Sequence, residues 1–490
     1  MKLKEEYTGV SIKSNKVSPI DRTQYFVNTC FWILFLVNIG FLAFNFDKTH
    51  WTSLGLIRIN RFTILIWTVV SFFAAVILSY SANYLRGYLH RTNFIFFTVG
   101  FTFSVMLFVA SEHVLLLILS WFSMGYFIAR LIGSDKNWGE AREASIFAQK
   151  YFILSGIFLS LGLLLLAFKS GSFLVDGIVA SLETLSKPVL FFSALCIITA
   201  AIIQSAIYPF HRWLLSAMTA PTPASALMHA GFVNGSGILL TLFATLLVTT
   251  GTLPLLFIIG GITAIIAQFA KLLQTNIKHK LGCSTIAQMG FMIMQCGLGF
   301  FNAAVVHLIL HGFYKAYLFL SSGENIEASL PNDPLPTRIK PLQALTVIVF
   351  GLFGAFFFAI LTGKAASVNS SIFLTVIVSI TVGQATYNIV KQHSLSIWQK
   401  IALPSILFFV GIGIYSLVYN GVTKLMGDMP QVEVPVSISI LQILMGIVFL
   451  VSFFVMKLGT YRKMPWLYVK LLNVSQPFNK TILMFKNQSL

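Results

Sequence analysis

Apolar runs of roughly 20 residues recur along most of the chain, and they limit its fold more than any other feature. An α-helix needs about 20 residues to cross the ~30 Å hydrocarbon core of a bilayer. The runs extend from residue 25 to residue 457, and few of the polar gaps between them are long enough to fold alone. The pattern predicts one polytopic membrane domain over 25–457, without a separate soluble catalytic domain.

The apolar runs predict an all-α membrane protein with about 13–14 transmembrane helices. Apolar residues surround most of these helices, as is typical of helices that contact lipid on one side and other helices on the rest. The predicted spans lie near residues 25–45, 61–85, 92–110, 113–133, 146–168, 188–207, 222–247, 253–274, 281–300, 302–322, 342–362, 369–390, 400–420 and 436–457.

The basic residues predict how the chain is oriented in the membrane. The formal net charge is +18, but Lys and Arg are scattered between apolar runs instead of forming the basic face that binds nucleic acid. With a cytoplasmic amino terminus, roughly three-quarters of the loop Lys and Arg face the cytoplasm, as the positive-inside rule favours. We expect a multi-pass protein of the bacterial inner membrane, surrounded by lipid, with a cytoplasmic segment at 1–24, a basic cytoplasmic tail at 458–490 and no nucleic-acid partner.

Ionisable residues inside the apolar runs are the candidates for function, because a charge at the bilayer centre costs about 2.5–3.5 kcal/mol on insertion scales. All 15 acidic residues fall in loops or at helix ends, and the four cysteines form no CxxC pair. The sequence therefore shows no embedded carboxylate relay and no metal or redox motif. We expect Lys and His to carry any ion chemistry, with no cofactor and no catalytic site in this chain.

Three ionisable residues recur at helical spacing in "HLILHGFYKAYLF", where His307, His311 and Lys315 stand at positions i, i+4 and i+8. This spacing places them on nearly one face of a helix. An imidazole can pass a proton near neutral pH, and a desolvated lysine can join in. The pattern predicts a hydrated proton path. The alternative is that His307 lies near the end of its span and Lys315 extends its ammonium to the lipid headgroups.

Two further lysines are candidates for the same path. Lys364 interrupts "AFFFAILTGKAASVNSS", where Thr362 and Gly363 precede it and small polar residues follow. This composition predicts a helix break that faces water, which is tolerated at membrane depth where it lines a cavity. Lys278 lies near the cytoplasmic end of its predicted span. For both residues, an extension of the side chain to the headgroups is the alternative.

The stretch "HRWLLSAMTAPTPASALMHAGFVNGSG" predicts a second break, because prolines interrupt an otherwise apolar region. Pro209 ends one span, since proline removes a backbone donor and clashes with the preceding turn. Pro221 and Pro223 suit the first turn of the next helix. We expect a short interfacial helix between two spans, with His229 about two turns into the second. A lone histidine is more often a packing residue, but in a transporter bundle we favour a proton-path role for His229.

The motif "PFHRWLLSAMTAPTPASALMHA" resembles the signature of the proton-translocating antiporter-like subunits of respiratory complex I and Mrp cation/proton antiporters. The resemblance continues through "AQKYFILSG" and "HLILHGFYKAYLFLSSG", so that the family order is followed from about 61 to 365. It implies two inverted five-helix repeats, each with a discontinuous helix, over about 92–247 and 253–390. It also implies a mid-membrane proton path through His229, Lys278, His307, His311 and Lys315, with Lys364 at the second broken helix.

Two positions depart from the family pattern. Where the family has a glutamate after a tryptophan, this chain has Phe122 after Trp121. Where the family has the lysine of the first broken helix, this chain has Gln204. The Glu/Lys ion pair of the first repeat is therefore missing, and the pumping cycle of complex I is not expected to operate there unchanged.

The residues after the histidine, "MHAGFVNGSG", are more similar to the membrane subunit of DAB-type inorganic carbon transporters. That resemblance implies a subunit that conducts a cation down its gradient and energises a large partner resembling a zinc β-carbonic anhydrase, which traps CO2 as bicarbonate. The zinc would belong to the partner. Two alternatives stay open: a subunit of an Mrp-like antiporter or complex I-like proton pump, and a non-conducting scaffold.

Overall fold

The computed structural model describes residues 19–44, 51–53, 55–88, 90–135, 137–322, 341–364, 369–378 and 396–481. These residues are mostly helical, and a short antiparallel hairpin joins β1 (Trp51–Ser53) to β2 (Ile57–Ile59). The helices, in chain order, are α1 (Pro19–Phe44), α2 (Arg61–Tyr84), α3 (Arg91–Ala110), α4 (Val114–Ile132), α5 (Gly139–Ser170), α6 (Val175–Ala180), α7 (Lys187–Gln204), α8 (Arg212–Ser216), α9 (Thr222–Leu227), α10 (Gly235–Leu242), α11 (Ala244–Thr249), α12 (Leu253–Leu272), α13 (Ile277–Gly297), α14 (Phe301–Leu320), α15 (Pro341–Leu361), α16 (371–378), α17 (Ile397–Leu425), α18 (Ile440–Leu458) and α19 (Pro465–Val474).

Ten helical stretches of the described residues are long and apolar enough to cross a membrane. They are Arg22–Phe44, α2, α3, α4, α5, α7, Thr222–Leu242, α12, α14 and Phe408–Leu425. The other predicted spans correspond to α13, which is less apolar, and to shorter apolar segments of α15 and α18. The predicted span 369–390 lies largely outside the described residues. The predicted all-α membrane fold is confirmed, and the limits of the two inverted repeats stay predictions.

Glycines allow α12 and α13 to pack with their backbones in contact. A Cβ atom on Gly260 would lie 2.5 Å from the carbonyl oxygen of Gly290, and one on Gly297 would lie 2.3 Å from the backbone nitrogen of Phe257. Small residues permit this close approach between membrane helices, where van der Waals packing holds the pair together. The opposite side of this pair matters for function, because α13 also packs against α14, the helix that carries the candidate proton path.

The proline-containing stretch forms a break between α7 and α9. Pro209 lies in the turn that follows α7, Pro221 is the N-cap residue of α9, and Pro223 lies in the first turn of that helix. The short helix α8 between them is predicted at the membrane interface, and most of its side chains are buried against the bundle. Trp213 in α8 is 0% exposed, and its indole nitrogen donates a hydrogen bond of 2.9 Å to the carbonyl of Ile203. The side chains of Trp213, Leu214 and Leu215 thus pack into the bundle, and the position of α8 relative to the membrane interface stays a prediction.

Candidate functional site

Lys315 lies in the interior of the bundle, between α14 and α13. Its side chain is fully buried, and its Nζ donates a hydrogen bond of 3.1 Å to the carbonyl oxygen of Leu281 in α13. No described acidic side chain forms an ion pair with it. The ammonium therefore points into the protein and not towards lipid headgroups, which removes the alternative of a snorkelling side chain.

His307 and His311 share the α14 face on which Lys315 lies. Their rings are stacked, with centroids 6.0 Å apart and an interplanar angle of 13°, and Phe291 of α13 packs edge-on against His307. Neither ring nitrogen of His311, nor Nε2 of His307, has a hydrogen-bond partner among the described residues. Buried polar atoms of this kind are the groups that internal water binds. The stacked pair can thus form part of a hydrated path.

His229 reaches α14 from a π-helical turn, Met228–Phe232, in the interrupted span after the break. Such turns are frequent at functional sites, because they redirect side chains within a helix. The His229 ring stacks on Phe319 of α14, with centroids 4.4 Å apart, and neither of its nitrogens has a partner among the described residues. Gly312 makes the crossing possible, since a Cβ there would lie 3.1 Å from the Ala230 carbonyl oxygen.

Lys278 lies at the beginning of α13. Asn276 caps this helix by accepting hydrogen bonds from the backbone nitrogens of Lys278 and His279, at 2.9 and 3.2 Å. The Nζ of Lys278 donates a hydrogen bond of 2.8 Å to the carbonyl of Ala220, at the proline break. Leu281, whose carbonyl holds Lys315, lies only three residues further along α13. The first turns of α13 therefore carry Lys278 and provide the carbonyl that binds Lys315.

Lys364 lies at the opposite end of α14, where that helix begins. Its side chain is 5% exposed and forms an ion pair with Glu433. Its Nζ lies 4.4 Å from the ring centroid of Phe300 and 5.2 Å from that of Tyr419, which is the geometry of cation–π contacts. The ammonium thus points into the bundle, and the predicted headgroup alternative does not hold for this residue.

The predicted residues are arranged along α14 in the order of a path. Lys364 lies by the start of the helix, His307 and His311 follow, and Lys315 lies in its last turns, beside the start of α13 with Lys278. At 1.5 Å per residue, the eight residues from His307 to Lys315 span about 12 Å. No described hydrogen bond or ion pair joins Lys364 to the histidines, so these groups form two clusters at different depths.

Sequence reasoning missed Glu433, because it was classed with the acids of the loops. The residue does lie in a loop, between α17 and α18, but it is brought to the start of α14. Its Oε2 accepts hydrogen bonds from Asn302 Nδ2 at 3.0 Å and from the Tyr419 hydroxyl at 3.2 Å. The available signal was one acid within the otherwise uncharged stretch "QVEVPVSIS".

The corresponding region of the first half of the chain is apolar and closely packed. A Cβ on Gly156 of α5 would lie 2.3 Å from the Phe122 ring, so this ring lies directly against the α5 backbone. Trp121 donates a hydrogen bond of 3.0 Å to Ser155. Gln204 is fully buried at the end of α7. Neither Phe122 nor Gln204 can titrate, so this region contains no equivalent of the Lys364–Glu433 pair.

Polar contacts outside the candidate path hold two of the chain's turns in place. Arg58 of the hairpin forms ion pairs with Glu112, at 3.2 Å, and with Asp176. Burial raises the pKa of Glu112, while the backbone nitrogen of Asp176 and the Arg58 charge oppose this shift. His211, before α8, forms a hydrogen bond of 2.7 Å with the carbonyl of Val474 in α19. Burial lowers the pKa of His211, and this hydrogen bond opposes the shift. These contacts hold the turns together.

Similar proteins share both sequence and fold with this chain. It is 32% identical to the "Probable inorganic carbon transporter subunit DabB" of Hydrogenovibrio crunogenus, over 57% of this chain and 56% of that protein. It is 35% identical to the protein of the same name from Bacillus anthracis, over 61% of this chain and 59% of that protein. It is 33% identical to "NADH-quinone oxidoreductase subunit L" of Rickettsia typhi, over 60% of this chain and 46% of that protein. The aligned region thus spans about half the length of these relatives.

A solved structure and a family model agree with these relatives. A chain of the Mrp complex from Dietzia sp. DQ12-45-1b has the same fold, with a TM-score of 0.62 and 19% identity, over 90% of this chain and 55% of that chain. The family model described as "NADH:quinone oxidoreductase/Mrp antiporter, TM" matches residues 111–383, which is more than half of this chain. The chain therefore belongs to the family of NADH:quinone oxidoreductase and Mrp antiporter membrane subunits.

Proposed function

We propose that the chain is a proton-conducting membrane subunit that energises inorganic carbon uptake. The observation that carries the proposal is the full burial of Lys315, with its ammonium bonded only to a backbone carbonyl among the described residues. Burying an ammonium without a carboxylate partner is costly, so an amine in this position readily exchanges its proton with neighbouring groups. His311 and His229 lie beside it with unbonded ring nitrogens.

The proposed path runs along α14. A proton would pass between Lys364, the stacked pair of His307 and His311, and Lys315, with water linking the groups that are not in direct contact. Lys278 would connect Lys315 to the end of the bundle at which α13 begins. His229 would contribute a further exchange site beside Lys315.

The carbon substrate and the partner are proposed from the relatives. Several of these are named as inorganic carbon transporter subunits. We propose that this chain likewise acts with a large zinc carbonic-anhydrase-like partner, which would convert CO2 to bicarbonate while proton flow through the membrane subunit drives it. The zinc would be bound by the partner.

The test is growth of a carbonic-anhydrase-deficient bacterium in ambient air when the chain is expressed with that partner. Lys315→Ala and Lys364→Ala are expected to abolish rescue, because each removes a titratable group from the path. Lys280→Ala is the matched control, since Lys280 is exposed on α13 and should be dispensable. Full rescue by both Lys315→Ala and Lys364→Ala would contradict the path.

We also propose that the chain lies in the bacterial inner membrane with both termini in the cytoplasm. The distribution of Lys and Arg under the positive-inside rule supports this orientation. A green fluorescent protein fused after the carboxyl terminus should fluoresce, because it folds on the cytoplasmic side. An alkaline phosphatase fusion at the same place should be inactive, and the reverse pattern would contradict the orientation.

A second candidate function is a subunit of an Mrp-like antiporter or a complex I-like pump. Its support is the relative named as subunit L and the fold shared with a chain of the Mrp complex. Phe122, which packs against α5, disfavours it, because the resemblance to complex I subunits implies a glutamate of an ion pair at this position. Purification of the native complex distinguishes the two: several small membrane subunits would indicate the antiporter or pump, and one large zinc protein the carbon transporter.

A further inference from the structure

Glu433 is the centre of a polar cluster at the end of the bundle where α14 begins. Its carboxylate forms an ion pair with Lys364 and accepts hydrogen bonds from Asn302 Nδ2, at 3.0 Å, and from the Tyr419 hydroxyl, at 3.2 Å. Three donors on three different elements therefore meet one acid. Charge-assisted hydrogen bonds of this kind are stronger than neutral ones, so the carboxylate is held in one place.

The backbone also fixes the loop that carries Glu433. Val434 donates a hydrogen bond of 2.8 Å to the carbonyl of Gly299, and Asn302 donates one of 3.2 Å to the carbonyl of Val432. Gly299 has a φ of +83°, and a Cβ there would lie 2.0 Å from the Val434 carbonyl oxygen. Only glycine allows this approach. The loop is thus anchored to the turn between α13 and α14.

Exposure differs sharply between the two charged side chains. Glu433 is 32% exposed and Lys364 only 5%, and the rings of Phe300 and Tyr419 cover the ammonium. Within this ion pair, the Glu433 carboxylate is therefore the exposed partner and the Lys364 ammonium the shielded one.

We propose that Glu433 is the proton-exchange carboxylate at this end of the path, an inference that rests on the proposed function. In the outward direction, an N–H bond of the Lys364 ammonium breaks and an O–H bond forms on Glu433, leaving a neutral amine and a carboxylic acid. The acid then releases its proton to water and the carboxylate is restored. Proton uptake follows the same steps in reverse.

Asn302 is suited to accommodate both states of the acid. Its amide nitrogen lies 3.0 Å from Glu433 Oε2 and 2.9 Å from both the Tyr419 hydroxyl and Thr423 Oγ1. An NH2 group has two hydrogens for these three acceptors, so it can turn from the carboxylate to the two hydroxyls when Glu433 is protonated. Its own oxygen stays bound to the backbone nitrogen of Ala303, at 2.8 Å.

The experiment measures proton flux into proteoliposomes that contain the purified full chain with its native partners. Glu433→Gln is expected to slow flux at least ~10-fold, because loss of a positioned acid–base group typically removes a factor of 10² to 10⁴. Glu433→Asp should retain more flux than the glutamine variant. The matched control is Asp428→Asn, which removes an acid of the same loop, one that lies 3.6 Å from Arg61, and should change flux less than ~2-fold.

Infrared difference spectra separate proton exchange from a purely structural role. When the pH is lowered, the wild-type protein should show a protonated-carboxyl band that is absent from Glu433→Gln, and its flux should vary with pH in a way that this variant loses. A structural role would instead slow flux equally at every pH, so the pH dependence of flux separates the two roles. The glutamine oxygen can still accept hydrogen bonds from Asn302 and Tyr419, but the buried Lys364 ammonium loses its carboxylate, so the thermal midpoint is expected to fall in this variant whichever role Glu433 has.

The outcomes distinguish this inference from the proposed function. If the Lys315→Ala variant loses flux but Glu433→Gln conducts like the wild type, the role of Glu433 is overturned and the proposed function stands. Absence of a Glu433-dependent carboxyl band in a conducting protein would also overturn it. A wild-type complex without proton flux would contradict the proposed function itself, and the inference with it.

Discussion

Replacing Lys315 by methionine should separate function from stability. Methionine is similar in length to lysine but cannot carry a proton, and it fills irregular spaces in a core. In a structural role, the lysine would stabilise the fold and its loss would unfold it. In the proposed path, the same substitution removes the proton carrier and also removes a buried charge. The two roles therefore predict opposite effects on stability.

The magnitude follows from the contacts of Lys315. The substitution removes one charged hydrogen bond, worth about 1.5–3 kcal/mol, but it also removes the burial penalty of an ion, which is several kcal/mol. The Leu281 carbonyl keeps a partner, because the Thr285 hydroxyl donates to it at 3.1 Å. We expect the free energy of unfolding to stay the same or to rise by about 1–3 kcal/mol, while proton flux falls at least ~100-fold.

Flux into proteoliposomes and thermal unfolding in detergent, measured on the same preparations, provide the test. Lys280→Met is the control, since this exposed lysine of α13 should affect neither quantity. A Lys315→Met variant that conducts within ~2-fold of the wild type would refute the path. Lost flux together with a stability loss above about 2 kcal/mol would instead indicate a structural lysine.

Three further predictions concern the structure around the path. His211→Gln should reduce the loss of thermal stability on acidification. Burial lowers the folded-state pKa of His211, so below the unfolded value of ~6.5 the unfolded chain binds a proton that the folded chain does not. The stability of the wild-type protein therefore falls as the pH decreases, and the variant lacks this contribution. An equal pH dependence in both proteins would contradict this assignment. Gly290→Leu should lower the free energy of unfolding by about 3 kcal/mol or more, because its Cβ would lie 2.8 Å from the α12 backbone. The control is Gly411→Leu, which should be tolerated because no atom lies within 4 Å of a Cβ at that position. Similar thermal midpoints for the two variants would show that α12 and α13 separate easily. Asn276→Ala should lower the thermal stability by about 1 kcal/mol through loss of the α13 cap, and an unchanged melting midpoint would mean that the cap contributes nothing.

Much of the candidate site could be predicted because helical spacing is a local property. The positions of His307, His311 and Lys315 fixed their common face before any packing was known. The prolines and the glycine before Lys364 indicated where the chain leaves regular helix. The sequence could not show that the ammonium groups point inwards, because a lysine near a helix end can equally extend to the headgroups. That choice depends on which carbonyl or acid the neighbouring helices present.

The sequence by itself determined the class of fold. Apolar runs of this length must be helical in a bilayer, since every backbone hydrogen bond has to be made within the segment. Only the tertiary structure decided which distant residues meet. Glu433 lies 69 residues from Lys364 along the chain, and Lys315 lies 34 residues from Leu281, whose carbonyl accepts its hydrogen bond. The physical reason is that helices that are apolar all round do not specify their own rotation or neighbours, which close packing at glycines and anchored turns then select.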